Sequence, residues 1–283
     1  MPTAFLQPTG RNGTAKQILP SRSIKSLYRL ALAEGEGIGT AYEYFAKRLV
    51  LRRWLAECEP APRVLIAGLP EKYGGSLDFL LIAQELGAAE ITVVDERAQA
   101  LEKNRKSLAA AHAVGDLVGV EPQFVNLSDI GDLEDLRGPF DVCLSSEVLQ
   151  RLDPTIRQRY FTHLKRVSRG LAVFAPNGDN PAHANISGLK ALRLSEMQAL
   201  LQSAGIPADL GYIDMPPFPP GITRSAEQRQ QATSGDLESL AMRVLSYYAR
   251  LESVFPRFWR QDHSHIVFAL CPSTLSSTNR NNQ

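Results

Sequence analysis

The chain has 283 residues, 44% of them hydrophobic, enough for one large domain or one domain with a cap. Its 31 Lys and Arg balance 30 Asp and Glu, so a formal charge of +1 gives no whole-chain pull toward nucleic acid or an acidic membrane. Cys58, Cys143 and Cys271 lie far apart with neither metal nor redox spacing, and a reduced, cytoplasmic setting is expected.

The opening stretch MPTAFLQPTGRNGTAKQ has no apolar h-region and no 18-residue apolar run follows, so neither a secretory signal nor a membrane span is expected. Residues 1–22 read as a flexible tail. Residues 23–60 read as a helical extension, broken at Glu34-Gly35-Glu36-Gly37-Ile38-Gly39. Its second half sets Tyr44, Phe45, Leu49, Leu51, Trp54 and Leu55 among Lys47, Arg48, Arg52 and Arg53, an amphipathic helix whose basic positions are expected to face solvent.

From Arg63 to Glu96 the pattern is strand, glycine loop, helix, strand, acid. Val64 to Ala67 is a short apolar run that suits a strand buried on both faces of a parallel sheet. Leu77, Leu80, Leu81, Ala83 and Leu86 then recur at near-helical spacing up to Gly87. Ile91 to Val94 is the next strand and ends on Asp95, which makes a βαβ unit. Gly68, Gly74 and Gly75 let the backbone approach a ligand, and the helix they open favours a carboxylate or phosphate at its N-terminus. Asp95 follows Gly75 by about 20 residues, the separation at which an acid accepts hydrogen bonds from both ribose hydroxyls. A nucleoside cofactor is indicated.

The alternation continues. Arg97–Ala113 reads as a helix, Pro122–Leu127 as a third strand followed by an acidic loop with Asp129 and Asp132, and Asp141–Ser146 as a fourth strand. Helix Ile156–Val167, with His163 outward, precedes a fifth strand at Leu171–Ala175. A loop from Pro176 carries His183, helix Leu192–Ala204 follows, and strands at Leu210–Met215 and Ile266–Leu270 close the pattern. Between those two strands, a cap insertion at about 216–262 holds a helix from Leu237 to Leu251. Its aromatics Phe218, Tyr247, Tyr248, Phe258 and Trp259 either line an apolar pocket or pack as core. His263-Ser264-His265 has the spacing of a metal pair without a supporting acid or cysteine cluster. Residues 61–271 are thus one α/β domain, a doubly wound, seven-stranded, mostly parallel sheet with helices on both faces. Residues 272–283 form a polar, disordered tail.

Four places in order carry a resemblance: the glycine loop after Val64–Ala67, the acid Asp95, the segment Phe124–Ile130, and the segment Phe140–Leu149. From about Arg63 to Gly205 the chain resembles the class I S-adenosylmethionine-dependent methyltransferases. The resemblance implies a Rossmann-like fold, S-adenosyl-L-methionine as cofactor, and methyl transfer to a small-molecule substrate. It also implies cofactor contacts from Gly68, Gly74, Gly75, Asp95 and Ser146, with Asp129 receiving the adenine amino group and Asp132 next in line. At the same sheet edge Glu147 is either a general base or a residue that bonds backbone at the strand-to-helix turn, and His183 is the histidine best placed to take a substrate proton.

The chain departs from the family where Ile66 replaces the acid two residues before the first glycine. Its loop, Gly68-Leu69-Pro70-Glu71-Lys72-Tyr73-Gly74-Gly75, is also longer than Gly-x-Gly-x-Gly. Those departures keep a non-catalytic protein of this fold as an alternative. A nicotinamide-dependent oxidoreductase would share the glycine loop and Asp95 but fits the Asp129 element and the last two strands less well. A nucleic-acid methyltransferase would carry Asp/Asn-Pro-Pro-Tyr where Ser145-Ser146-Glu147-Val148 stands. The expected partner is a small molecule, with no nucleic acid and no membrane, and no pattern fixes an oligomeric state.

Overall fold

Val64 and Ile66 point into one apolar core and Leu65 and Ala67 into another, all four fully buried, as alternation requires of a strand covered on both faces. The computed structural model describes residues 19–71, 74–187, 190–217 and 236–272. In it, β1 (Arg63–Ala67) is an inner strand of a seven-stranded sheet with β2 (Glu90–Asp95), β3 (Gln123–Asn126), β4 (Phe140–Ser146), β5 (Ser168–Pro176), β6 (Asp209–Ile213) and β7 (Ile266–Cys271). The order is β3-β2-β1-β4-β5-β7-β6. The first five strands pair in parallel, and β7 runs antiparallel to both β5 and β6. Sheet order reverses between β1 and β4, so the crevice outside their carboxyl ends is where an open α/β sheet binds ligands.

Helices α1 (Ile24–Ala33), α2 (Ile38–Trp54), α3 (Leu77–Glu85) and α4 (Ala98–Ala113) cover one face. The other face carries α5 (Pro154–Val167) and, after the short α6 (Pro181–Ser187), α7 (Leu194–Ser203). In the insertion, α8 (Asp236–Leu251) packs on α1 and α2, and α9 (Arg257–His263) leads into β7. Ser23 caps α1 by accepting the Ser26 amide at 3.3 Å, and the Ile24 amide donates to Ser246 Oγ at 3.1 Å, which fixes α1 to α8. No described helix is long and apolar enough to cross a membrane.

Several expectations change. The basic face of α2 is not solvated throughout: Lys47 and Arg48 are 2% and 4% exposed, and only Arg52 and Arg53 reach water. Both buried cations have anions waiting. Arg48 pairs with Glu85 of α3 and donates to the Pro20 carbonyl at 2.7 Å, and Lys47 turns into the sheet edge. His163 faces inward, its Nδ1 accepting the Leu133 amide at 3.3 Å, because the loop after β3 folds back over α5. His183 lies on α6 rather than in a loop, with its amide bonded to Asn180 Oδ1 at 3.1 Å. Tyr247, Phe258 and Trp259 project to solvent, Phe258 with 70% of its surface exposed, and so line no pocket. Phe218, the start of the insertion, and most of both tails lie outside the described residues.

Arg48→Met should remove the partner of a buried carboxylate and cost about 3 kcal/mol in urea unfolding. A loss below about 0.5 kcal/mol would mean that Glu85 is held by Arg22 alone.

Candidate functional site

Gly68 closes β1 at φ +82°, and a Cβ there would stand 2.4 Å from Val148 Cγ2, so a glycine is required for the segment after β4 to pack on the loop. Its amide bonds the Val94 carbonyl at 2.9 Å, which ties the loop to β2. Asp95, at the end of β2, is fully buried. Its Oδ1 accepts the Arg97 amide at 2.8 Å and Arg97 Nε at 2.9 Å. Its Oδ2 accepts the Leu69 amide at 2.8 Å and Arg151 Nη2 at 2.9 Å. Burial alone would raise this carboxyl, but the Arg97 hydrogen bonds and the Arg151 charge hold it below the usual carboxylate range. A ribose at Asp95 must therefore displace an arginine. Glu96 beside it also pairs with Arg151 and keeps Oε2 buried and unpartnered.

On the other side of the crevice, α2 lowers Tyr44, Glu43 and Lys47 onto the carboxyl edge. Lys47 Nζ lies 2.5 Å from Glu43 and donates to Ser146 Oγ at 2.8 Å, between the rings of Phe79 and Phe174. Burial opposes its charge, yet Glu43, Asp78 and Glu147 hold its pKa above the ordinary lysine value. Glu147 sits at φ +56°, where the backbone leaves β4, with its amide on the Phe174 carbonyl at 3.0 Å and Oε2 buried without a partner. Burial, with the Glu43 charge, pushes it up to about 8. Asp78, in the first turn of α3, has both oxygens buried and unpartnered, and burial raises it to about 6 against the pull of Lys47. Glu34, from the turn after α1, covers Gly74 and Gly75 and is raised by burial to about 8.

Toward β6 and β7, His183 and His265 stack at 3.8 Å with an interplanar angle of 9°. Asp214 lies 3.2 Å from His265 Nδ1 and raises its pKa against burial. His183 is lowered by burial and by His265 to about 4, so it stays neutral, with Nδ1 buried and unpartnered. Glu252, raised by burial to about 7, accepts from Tyr42 and from the Met215 amide.

Gly68, Asp95, Ser146 and Glu147 thus border one crevice, Gly74 and Gly75 meet it from the loop, and His183, on α6 after β5, stacks on His265 at the β6–β7 side. Asp129 does not join them: it pairs with Arg159 at 2.6 Å and accepts the Gly131 amide at 2.8 Å, so its carboxylate stabilises its own turn. Glu43, Asp78, Arg151 and Asp214 carry no signal in the sequence pattern, while Lys47 reads there as a solvated position, Glu34 as part of a helix break, and His265 only as half of a metal-spaced pair. The one local exception is the spacing of Glu43 and Lys47 at i and i+4. Only folding brings Glu34 over the glycine loop.

Four carboxyls, Glu34, Glu43, Asp78 and Glu147, crowd this crevice; among the described residues Lys47 faces Glu43, Asp78 and Glu147, and His265 also faces Glu43. The excess of buried carboxyl groups, with unpartnered oxygens on Asp78, Glu147 and Glu96, fits a polar ligand that brings positive charge.

This order of strands, with an antiparallel final pair and a carboxyl-edge crevice, defines a Rossmann-like sheet of the methyltransferase type. The methyltransferase domain of bacterial CtHen1 has the same fold: the TM-score is 0.51 at 13% identity, covering 83% of this chain and 99% of that one. The plantazolicin methyltransferase BpumL, solved with S-adenosylhomocysteine, aligns at a TM-score of 0.48 and 13% identity, over 88% of this chain and 96% of its own. Magnesium protoporphyrin IX methyltransferase of Synechocystis PCC 6803, with the same ligand, aligns at 0.46 and 14%, over 83% of each chain. No family model and no curated protein matches the sequence.

The raised carboxyls make stability depend on pH. Unfolded, Glu34, Asp78, Glu147 and Glu252 lose their protons near pH 4; folded, they keep them to about 8, 6, 8 and 7. Folding takes up protons in that window, so stability falls as pH rises through it. His183, at about 4 when folded, gives the opposite slope below about pH 6.5. Several carboxyls outweigh one imidazole, so the melting temperature should already fall from about pH 5 and drop by about 5 °C or more between pH 6 and 8.5. Glu147→Gln should flatten the drop, and a wild-type melting temperature that rises from pH 6 to 8.5 would contradict these burials.

Proposed function

We propose that this chain is an S-adenosylmethionine-dependent methyltransferase acting on a small molecule. The observation that carries the reading is the set of buried carboxyls with too few cations, placed at the switch point of a methyltransferase-type sheet. S-adenosylmethionine, when bound, supplies a methyl group on a sulfonium, open to in-line attack, and brings an ammonium as well. Asp78 and Glu147 offer the carboxylates that balance those two positive groups, the work that an acid at position 66 would otherwise share. Asp95 and Glu96, with Arg151 turned aside, are placed for the ribose hydroxyls.

The chain's own share of the reaction is alignment and the exclusion of water. Phe79 and Phe174 wall the Lys47 side of the crevice, and α2 roofs it. On the β6–β7 side, His183 is neutral with a free Nδ1, so it can accept the proton that an attacking hydroxyl or amine releases. His265, held by Asp214, fixes the ring by stacking. The balanced net charge and the absence of Asp/Asn-Pro-Pro-Tyr after β4 support a small substrate over a nucleic acid.

Calorimetry with S-adenosylmethionine and S-adenosylhomocysteine, with NAD and NADP in parallel, tests the reading. Micromolar binding of the first pair alone is expected, weakened at least about tenfold in Asp78→Asn. Binding of a dinucleotide instead, or of neither pair, would end this assignment.

A further inference from the structure

The turn after α1 brings the Glu34 carboxyl over the glycine loop. Oε1 accepts the Leu77 amide at 2.9 Å, Oε2 is bonded by the Tyr44 hydroxyl, and the carboxyl lies 3.0 to 3.1 Å from where Cβ atoms on Gly75 and Gly74 would stand. The Leu77 amide opens α3, a nine-residue helix, so Glu34 occupies the position where the helix end would hold a ligand anion. Around the same helix end, Ser76 Oγ, both Asp78 oxygens and Asn104 Oδ1 are buried without partners in residues only 2%, 3% and 1% exposed. The pocket therefore holds more polar lining than Glu34 satisfies.

On its outer side Glu34 borders an open cleft of about 720 Å³ between the α1 turn and α4, lined also by Gly35, Glu102, Lys103 and Lys106. Gly35, at φ +78°, makes the turn there. The cleft offers room for a displaced carboxylate and two lysines to receive it.

We propose that Glu34 is a displaceable stand-in for the cofactor's carboxylate: the incoming carboxylate takes the Gly75–Leu77 amides, and Glu34 swings into the α1–α4 cleft toward Lys103 and Lys106. The proposal rests on S-adenosylmethionine being the ligand. It goes further by making the N-terminal extension a competitor at the anion site.

The exchange moves a proton. Seated, Glu34 faces Tyr44 from α2, Asp78 from α3 and Glu36 from its own turn, with Glu43 and Lys47 behind them. Burial, more than any of these, holds it protonated up to about 8. Released into the cleft, it faces Glu102, Lys103 and Lys106 beside water and ionises, so its proton passes to the buffer. Binding then strengthens as pH rises from about 5 to about 8, by up to about tenfold per unit.

Asp78 and Glu147 also lose protons to a cationic ligand, so a variant must isolate the Glu34 share. Titration calorimetry of S-adenosylhomocysteine at pH 7, in buffers of differing ionisation enthalpy, counts the protons released. Wild type should release about one proton more than Glu34→Gln, which can keep the hydrogen bonds but cannot ionise. Glu34→Ala should bind at least about tenfold more tightly at pH 6.5. 5′-Methylthioadenosine, which lacks the carboxylate, should release equal proton numbers in wild type and Glu34→Gln. Equal counts with S-adenosylhomocysteine, or weaker binding by an Ala variant whose circular dichroism is native, would overturn the proposal. If neither S-adenosylmethionine nor S-adenosylhomocysteine binds wild type or any variant, the cofactor reading fails and takes this one with it.

Discussion

The Lys47 ammonium sets the condition under which the rest of the crevice can exist. At an effective dielectric of 20, a unit charge 4 Å from a carboxylate contributes about 4 kcal/mol, comparable to the several kcal/mol it costs to strip each ion of water. One lysine can therefore keep about one of its neighbours ionised. Glu43 is the one in contact, at 2.5 Å, and Asp78 and Glu147 take their charge state from what remains. Any cation that enters the crevice will ionise them, so ligand charge and protonation are coupled across the whole site.

Asp95 illustrates a different constraint. As the acid ending β2 it was read as a ribose ligand, yet all its hydrogen-bonding capacity goes into the chain: Leu69 from the loop, Arg97 from its own turn, and Arg151 from beyond β4. That set links the ends of β1, β2 and β4, which is what an eight-residue loop needs when it lacks a tight glycine turn. Arg151 also binds Glu96, so one guanidinium decides whether the two acids serve the fold or a ligand.

The sheet was legible in the sequence because its signals are local. Continuous apolar runs such as Val64–Ala67, glycine stops such as Gly87, and an acid closing the second strand each report on a few neighbouring residues. The strand pairings then follow from the alternation of elements, and the observed bounds of β1, β2 and β4 differ from the expected ones by a residue. The crevice was half legible. Gly68, Asp95, Ser146 and Glu147 stand at strand ends, where topology alone gives them a place. Lys47 and Glu34 were read wrongly or not at all, because a charged residue on an amphipathic helix looks solvated until its partner is known. Their partners lie 99 positions away at Ser146 and 43 positions away at Leu77. Asp129 stands where a family acid would, and its pairing with Arg159, one helix later, is a contact that no local pattern announces.

The layer above the crevice is a single unit made of two sequence-distant pieces. Glu252, at the end of α8, accepts from Tyr42 on α2 and from the Met215 amide at the end of β6, and Ser246 on α8 receives the first amide of α1. Arg250 lies over the Phe45 ring at 5.4 Å. Lifting α2 to admit a ligand would break these contacts together and expose the Lys47 cluster to water. The α1–α2 turn is held through two side chains, Glu34 to the Leu77 amide and the Tyr44 hydroxyl and Glu36 to the Gly74 amide, and beyond it lies the open cleft beside α4. In the displacement proposed for Glu34, a ligand's own carboxylate replaces the first of these ties, so a small molecule enters by shifting that turn and its glutamate and leaves the helices in place.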